Sequence, residues 1–315
     1  MFNREGPGLL KPKVSICIPT YNYRHYLPDA LDSALIQDFT DIEVVVVDNC
    51  SDDGTPELVE AYCRRDSRIV FHRNARNFGM TANFNRAMEL ARGKYIKFLC
   101  ADDILAKDCV SRMVAVLDNG PHVALVGCRR FVFDKNKHTT GTLGYAGKNF
   151  SRSGQRVIRD CYFKGNLIGE PTAVLFRKAD VVTGFDENYY QALDMEMWFR
   201  LLEAGEFVFL ADILCGVREH ESRGTANNLR AGRITVDKVR LFEKYSSRPY
   251  LRGTTAERLR WDARMASSVT REVAAGAAQS AEAVREAFYY PRFSKSVLTP
   301  IASVLTRIRR RTGII

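Results

Sequence analysis

The segment IEVVVVDN, residues 42–49, constrains the fold of this chain more than any other stretch. It contains four consecutive valines and is followed by two short polar side chains, Asp48 and Asn49. A continuous apolar run is typical of a strand buried on both faces of a parallel sheet, since a half-exposed strand alternates apolar and polar residues. Further strands are predicted at residues 14–18, 68–72 and 95–99. Helical patterns lie between these strands, which predicts an α/β fold with helices flanking a mostly parallel sheet.

The pattern changes along the chain and predicts three regions. Residues 1–12 are expected to be a flexible N-terminus, and residues 13–222 the α/β domain. Beyond residue 222 the apolar spacing becomes helical at 229–245 and 255–289, where Thr254 and Glu257 have the spacing of a capping box. We therefore expect residues 223–315 to form a helical C-terminal region.

The composition is that of a globular protein. The 315 residues are 46% hydrophobic and 27% charged, and no apolar run approaches the roughly 18 residues that a membrane-spanning helix needs. The eight cysteines show no CxxC pair and no zinc-like spacing, so we expect reduced thiols in a cytoplasmic protein. The sequence does not indicate an oligomeric state.

The net charge of +10 is concentrated near the C-terminus. Residues 292–315 carry six arginine and lysine residues and no acid, and apolar residues recur there at steps of three and four. Such a helix can lie on the surface of an anionic membrane, and a solvated tail is the alternative. Nucleic acid is not indicated, because no aromatic stacking platform accompanies the basic residues.

Polar clusters follow three of the predicted strands. They are Thr20-Tyr21-Asn22, Asp48-Asn49 and Asp102-Asp103. Any one of them could be ordinary turn chemistry, but ligands of an open parallel sheet bind outside the carboxyl ends of the strands. Two adjacent carboxylates also repel each other, and a bound cation would remove that repulsion. We therefore predict one shared ligand site.

Four segments carry a resemblance to a known family. In chain order they read SICIPTYNYRHYLPDALDSALIQ, IEVVVVDNCSDDGT, RNFGMTANFNRAMELARGKYIKFLCADDIL and GFDENYYQALDMEMWFRLLEAG. Together they resemble the family 2 inverting glycosyltransferases of the GT-A fold, over about residues 13–222. The resemblance implies transfer of a sugar from a nucleoside diphosphate sugar to a hydroxyl of a saccharide or lipid-linked acceptor.

The resemblance also implies a nucleotide pocket. Asp48 would accept a hydrogen bond from the uracil-like edge of the base, a role that suits a carboxylate because it only accepts. The loop formed by Pro19, Thr20, Tyr21 and Asn22 would pack against the same nucleotide. Segment 77–79, with Asn77 and Gly79, would shape the pocket at the start of a helix. The alternative for Asp48 is a structural cap of its own turn.

A divalent cation, Mn²⁺ or Mg²⁺, is implied next to the nucleotide. Asp103 would face the cation that bridges the two phosphates, and Asp102 would face the ribose or join the metal ligands. Many relatives have Asp-x-Asp-Asp here, whereas this chain begins the motif with Cys100, a poor ligand for a hard cation. Arg218 would contact the diphosphate and His220 would complete the metal shell, although a structural histidine is the alternative. An acidic turn without metal also stays open.

The general base implied by the resemblance is Asp194. Asp194, Trp198 and Leu201 share one helical stripe, which predicts that the carboxylate faces the sheet. Glu196 falls on the opposite face, where it would be solvated and pair with Arg200. Asp194 would take the proton of the attacking acceptor hydroxyl, and Glu196 is the lesser candidate. A helix N-cap is the alternative role for Asp194.

The sequence disfavours two other classes of enzyme and leaves one further function open. A sugar-nucleotide pyrophosphorylase normally has a glycine-rich basic loop after the first strand, where this chain has residues 19–22, PTYN. A dinucleotide-dependent oxidoreductase would show GxGxxG at the same place. A catalytically weak homologue that binds a sugar nucleotide or a partner stays open because of Cys100.

Overall fold

A computed structural model describes residues 11–220 and 228–254, with residues 256, 257, 261, 267, 268, 271 and 272. The chain forms two compact units that alternate along the sequence. The first contains residues 1–154, 168–185 and 200–218, and the second residues 155–167, 186–199 and 219–315. The domain boundary expected near residue 222 stays a prediction. The predicted basic helix in 292–311 and residues 1–10 lie outside the described residues.

The first unit contains a ten-stranded sheet within the described residues. Its strands are β1 (Val14–Thr20), β2 (Ile42–Asp48), β3 (Ile69–Arg73), β4 (Tyr95–Phe98), β5 (Ile104–Leu105), β6 (Val123–Phe133), β7 (Thr139–Leu143), β8 (Phe150–Ser153), β9 (Val174–Arg177) and β10 (Glu206–Arg218). Their order is β3-β2-β1-β4-β9-β6-β10-β5, with β7 added to β6 and β8 added to β10. The predicted α/β class is therefore confirmed.

The register of the parallel strands determines where the strand ends meet. β1 pairs in parallel with β2 and β4, and Thr20 lies opposite Asp48. β3 continues the parallel part beside β2, whereas β9 runs antiparallel to both β4 and β6. Because β1, β2 and β4 end at the same edge of the sheet, the polar residues that follow them are neighbours.

Seven helices with described bounds accompany the sheet. They are α1 (Leu27–Leu35), α2 (Thr55–Cys63), α3 (Met80–Leu90), α4 (Cys109–Asn119), α5 (Gly154–Lys164), α6 (Leu193–Leu202) and α7 (Arg233–Tyr245). The core of the first unit packs the valines of β2 and the apolar faces of α1 and α4 around β1 and β4. All residues of β1 and β2 are buried, as expected for strands covered on both faces.

In the second unit α7 packs through aromatic side chains. Phe242 stacks on Tyr162 at 5.7 Å and lies 4.4 Å from the ring of Trp261, and Tyr245 meets Phe199 edge-on at 5.2 Å. The predicted helix in 229–245 is confirmed over Arg233–Tyr245, whereas most of 255–289 lies outside the described residues.

The predicted capping box is confirmed. The backbone N–H and the hydroxyl of Thr254 donate to the carboxylate of Glu257, and the Glu257 N–H donates back to the Thr254 hydroxyl at 3.3 Å. The eight cysteines are free thiols. In the part of the chain that the structure describes, no helix is both long enough and apolar enough to span a bilayer.

Candidate active site

Asp102 and Asp103 follow β4 and differ sharply in environment. Asp103 is 2% exposed, and its Oδ2 accepts a hydrogen bond from the hydroxyl of Thr172 at 2.6 Å. Its Oδ1 accepts the backbone N–H of Arg218 at 3.0 Å. Asp102 is only half-buried. The expected cation-facing carboxylate, Asp103, is therefore held inward on both oxygens, and Asp102 is the more accessible of the two.

The electrostatics of this pair favour a bound cation. Burial and the neighbouring Asp102 raise the pKa of Asp103 well above its usual range, despite the hydrogen bonds from Thr172 and Arg218. Sγ of Cys100 and one oxygen each of Asp102 and Asp103 lie within 4.8 Å of one another. Two hard oxygen donors at this spacing fit Mg²⁺ or Mn²⁺. Burial, followed by Asp103 and Asp102, raises the pKa of the Cys100 thiol, which favours the protonated form, a poor ligand for a hard cation.

Thr172 holds both ends of the acidic turn. Besides donating to Asp103, its hydroxyl accepts the backbone N–H of Cys100 at 3.0 Å. Its carbonyl accepts a hydrogen bond from the fully buried ammonium of Lys97 at 2.5 Å. Sequence reasoning missed Thr172, whose segment carries no recognisable motif. A lysine inside an otherwise apolar strand, YIKFL, was a usable signal for Lys97 because a buried charge needs a partner.

Arg218 ends β10 and is 2% exposed. Its Nε donates to the carbonyl of Asp102 at 2.9 Å, and its Nη2 to Oδ2 of Asp29 at 2.7 Å. The guanidinium also lies 4.9 Å from the ring centre of Tyr26 and 4.4 Å from that of Phe133. These contacts commit Arg218 to supporting the acidic turn, and its expected contact with a diphosphate stays a prediction.

The loop after β1 is closely tied to the end of β2. The backbone N–H of Asn22 donates to the Ser51 hydroxyl at 2.8 Å, and Asn22 has a positive φ of 55°. Pro19 is buried within β1, whereas Tyr21 is 42% exposed. The hydroxyl of Thr20 is buried and has no hydrogen-bond partner among the described residues. A buried polar atom of this kind at a strand end is a candidate ligand contact.

Asp48 is fully buried at the end of β2. Its carboxylate accepts the hydroxyl and the backbone N–H of Ser51, and Nε of the exposed Arg73 lies 3.4 Å from its Oδ2. These bonds match the turn cap that the sequence left open. Recognition of a base by Asp48 stays a prediction.

Asparagine side chains connect the strand ends with α3. The Asn49 amide donates to the Asn77 side chain at 2.7 Å and to the Gly79 carbonyl at 3.1 Å. Asn74 donates to both Asn49 and Asn83 at 2.9 Å. Gly79 has a φ of 91°, a conformation that side chains rarely adopt, and lies directly before α3. The network holds the exposed Asn77 and Gly79 in place. Asn74 carries no signal in the sequence beyond its position after a strand.

Asp194 lies in the second unit, in the first turn of α6. Its Oδ2 accepts the side-chain amide of Asn166 at 3.0 Å, and its Oδ1 the backbone N–H of Met195 at 2.7 Å. Trp198 and Leu201 of the same stripe are buried, as predicted. The Asp194 carboxylate is therefore held by two hydrogen bonds, one of them from the backbone at the N-terminus of its own helix.

The prediction that Glu196 lies on a solvated face was wrong. Glu196 is 0% exposed, and Nζ of Lys244 on α7 lies 2.6 Å from its Oε1. Met197 and Phe199 are also buried, so α6 is covered on nearly all sides and has no wholly solvated face. Arg200 donates to the carbonyls of Thr183 and Gly184.

The structure thus groups some of the predicted residues. Asp102, Asp103 and Arg218 form one bonded cluster, and Asn22 and Asp48 share Ser51. The half-buried His220 belongs, like Asp194, to the second unit. The first unit therefore carries an acidic site at the carboxyl ends of parallel strands, an arrangement suited to nucleotide binding.

Comparison with known proteins identifies the class. The model of Glycosyl transferase family 2 matches residues 15–183, and the chain belongs to this family. It is therefore a glycosyltransferase with the GT-A fold, as the sequence predicted.

Individual relatives agree with this assignment. Chondroitin synthase of Escherichia coli is 30% identical over 199 residues, which are 62% of this chain and 27% of that protein. The mannosyltransferase PcManGT of Pyrobaculum calidifontis, solved with GDP-Man and Mn²⁺, superposes with a TM-score of 0.61 at 19% identity, covering 97% of this chain and 89% of that one. S. aureus TarS 1-349 with UDP-GlcNAc gives a TM-score of 0.57 at 20% identity, covering 90% and 94%. Both structures share the fold.

Proposed function

We propose that this enzyme transfers a sugar, with inversion, from a UDP- or dTDP-type nucleoside diphosphate sugar to a hydroxyl of a saccharide or lipid-linked acceptor. The observation that carries this proposal is the acidic pair Asp102–Asp103, which is fixed at the end of β4 by Thr172 and Arg218. The relatives support it, since two of the solved ones bind nucleotide sugars and chondroitin synthase makes a polysaccharide. We assign the enzyme to the synthesis of a cell-surface polysaccharide or glycoconjugate.

The cation is Mn²⁺ or Mg²⁺, and Asp102 is its principal protein ligand. Each oxygen of Asp103 accepts one hydrogen bond, from the Thr172 hydroxyl or the Arg218 N–H, and keeps a further lone pair with which it would join Asp102 as a ligand. When bound, the cation offsets the charge of the departing nucleoside diphosphate. His220 is a further candidate ligand from the second unit.

On the nucleotide side, Thr20 offers a buried hydroxyl without a partner among the described residues. Tyr21 offers an exposed ring, and the Asn77–Gly79 segment, whose Phe78 and Gly79 N–H groups donate to Asn49 and Asn77, shapes the pocket ahead of α3. Asp48, which also caps the turn after β2, accepts a hydrogen bond from the imide N–H of the base. These groups bind and orient the nucleotide, and they take no part in proton transfer.

Asp194 is the general base. Its carboxylate is oriented by Asn166 and by the Met195 N–H, and a carboxylate so placed can serve as a general base. The acceptor hydroxyl gives its proton to Asp194 as its oxygen attacks the anomeric carbon, and the bond from that carbon to the diphosphate breaks on the opposite face. Glu196 is excluded from this role because it is buried and paired with Lys244.

The place of action is the cytoplasm. We propose that residues 292–311, which lie outside the described residues, hold the enzyme at an anionic inner membrane face, where lipid-linked acceptors lie. Flotation with phosphatidylglycerol vesicles, with and without residues 291–315, tests this part separately. Equal flotation of the truncated protein would contradict it.

The catalytic proposal is tested with purified protein, Mn²⁺ and a panel of UDP-, dTDP- and GDP-sugars. Wild type should hydrolyse at least one donor slowly, and Asp102→Asn should lose Mn²⁺-dependent nucleotide binding. Cys100 in place of an acid favours one competing function, a sugar-nucleotide-binding module without activity. Metal-dependent binding of UDP with no hydrolysis and no transfer would support that module.

A further inference from the structure

Arg130 and Glu170 form an ion pair that the proposed mechanism does not use. Arg130 lies near the end of β6 and is 2% exposed, while the Glu170 side chain is 37% exposed. Nε of Arg130 contacts Oε2 of Glu170 directly. Burying a guanidinium in the middle of a sheet is costly without a counter-charge, and Glu170 supplies that charge.

The hydrogen-bonding capacity of Arg130 and Glu170 is not fully used by the described residues. Nε and Nη1 of Arg130 and Oε2 of Glu170 are buried and make no hydrogen bond among the described residues, so Arg130 and Glu170 interact as an ion pair only. The Glu170 side chain is nevertheless 37% exposed, so the part of it outside Oε2 is accessible while the carboxylate is paired with Arg130. A carboxylate fixed in this way has lone pairs available to a ligand.

The backbone around Glu170 is shaped to let the pair form. Gly169 has a φ of 130°, and a Cβ at this position would lie 2.6 Å from the Cβ of Ala173 and 3.2 Å from Nη1 of Arg130. Only glycine therefore fits between the guanidinium and the short 3-10 helix Pro171–Ala173 that follows. The close approach brings Glu170 against Arg130.

Glu170 lies beside the acidic site. It directly precedes the 3-10 helix that carries Thr172, and Thr172 is bonded to both Asp103 and Cys100. After burial and the neighbouring aspartates, the charge of Glu170 adds to the rise in the pKa of Asp103 and of Cys100, as expected at short range. Glu170 does not belong to the group of Cys100, Asp102 and Asp103, whose ligand atoms lie within 4.8 Å of one another. It is therefore a neighbour of the cation site and not part of it.

We infer that Glu170, held by the buried Arg130, accepts a hydrogen bond from a hydroxyl of the donor sugar and so selects that sugar. The inference rests on the proposed function. In a nucleotide sugar the hexose follows the diphosphate directly, so a group next to the diphosphate-binding acids meets the sugar first. A hydroxyl donates to a carboxylate, and a site built for that bond strongly disfavours an analogue that lacks the hydroxyl. Arg130 acts as the positioning residue.

The test uses the nucleotide sugar that wild type hydrolyses fastest and the corresponding nucleoside diphosphate, each titrated calorimetrically with Mn²⁺. Glu170→Gln should bind the nucleotide sugar about tenfold more weakly than wild type, because the charged acceptor of the sugar hydroxyl becomes a neutral amide, with nucleoside diphosphate affinity unchanged. Glu206→Gln is the control. Glu206 is an exposed glutamate of β10 that accepts the Ser151 hydroxyl, and its replacement should change neither affinity.

Deoxy analogues of that donor identify the contact. The analogue that lacks the contacted hydroxyl should bind wild type about tenfold more weakly than the parent donor does. The loss should be smaller in Glu170→Gln, whose amide is only a neutral acceptor. Arg130→Lys keeps the charge but loses the planar guanidinium. Its affinity for the nucleotide sugar should lie between those of wild type and Glu170→Gln, with nucleoside diphosphate affinity unchanged.

Each contrary outcome is informative. Equal affinity of wild type and Glu170→Gln for the nucleotide sugar would overturn the inference while leaving the proposed function intact. Equal weakening of nucleoside diphosphate and nucleotide sugar would overturn it too, because Glu170 would then act on the cation or the diphosphate. A loss confined to the KM of the acceptor would assign Glu170 to the acceptor instead. A wild-type protein that hydrolyses no donor would contradict the proposed function, and the inference with it.

Discussion

The hydroxyl of Thr172 lies 2.6 Å from Oδ2 of Asp103, although 69 residues separate them in the sequence. The same hydroxyl accepts the N–H of Cys100, so one side chain holds both ends of the turn that presents Asp102. Because Asp102 itself is only half-buried, its direction depends on this fixed backbone. The geometry of the proposed cation site is thus determined by a residue that contacts no cation.

Replacing Thr172 with valine tests this relationship. The substitution keeps the shape and removes a donor and an acceptor inside the protein, so the free energy of unfolding should fall by about 1–3 kcal/mol. Mn²⁺-dependent binding of UDP should weaken, because the turn is no longer fixed. Urea unfolding and titration calorimetry measure the two effects. Thr140→Val on the exposed strand β7 is the control and should stay within about 0.5 kcal/mol of wild type. Wild-type stability and UDP affinity in Thr172→Val would refute this role.

Arg218 should contribute to stability through its contacts with the acidic turn and with Asp29. Arg218→Met removes the bonds to the Asp102 carbonyl and to Asp29, and should lower the free energy of unfolding by about 1–3 kcal/mol. Arg218→Lys keeps the charge but loses the planar guanidinium, so its free energy of unfolding should lie between those of wild type and Arg218→Met. The matched control is Arg112→Met, which removes a surface ion pair with Asp212 that should contribute at most about 1 kcal/mol. If the two methionine variants lose equal stability, the buried contacts of Arg218 are not the reason.

Asp29 gives the protein a defined acid sensitivity. Its partial burial opposes ionisation, but hydrogen bonds from Lys137 and Arg218 outweigh that effect and lower its pKa below the ordinary value. A carboxyl with a lowered pKa stabilises the fold above its unfolded-state pKa of about 3.9, and this contribution is lost as the pH falls through the folded-state pKa. Urea unfolding between pH 3 and pH 7 should therefore show a smaller acid loss in Asp29→Asn than in wild type. An identical pH dependence in the two proteins would rule out this contribution.

The parts of the fold that follow from local patterns could be predicted from the sequence. The valine run of β2 is buried on both faces, as its composition indicates, and the strands predicted around it are present. The acidic pair Asp102–Asp103 lies at a strand end, as predicted, because strand ends are where an apolar run stops.

The support of the site was not predictable, since it depends on contacts distant in sequence. Nothing near Thr172 or Asp29 indicates that they would bond to Asp103 and Arg218. The prediction for Glu196 failed for a related reason. Helical spacing separates an inner and an outer face only when one face is solvated, and α7 supplies Lys244 where solvent was expected.

The two acids of α6 should behave in opposite ways. Asp194→Asn removes the proposed base with little change in shape, so glycosyl transfer should fall about 10²- to 10⁴-fold while UDP binding with Mn²⁺ stays normal. Glu196→Gln removes one partner of a buried ion pair, so the free energy of unfolding should fall by about 1–3 kcal/mol while transfer by the folded protein persists. Initial transfer rates and urea unfolding of both variants separate the roles, and Lys244→Met should reproduce the stability loss of Glu196→Gln without affecting Asp194. Near-normal transfer by Asp194→Asn, or abolished transfer by a stably folded Glu196→Gln, would reverse the assignment of the base.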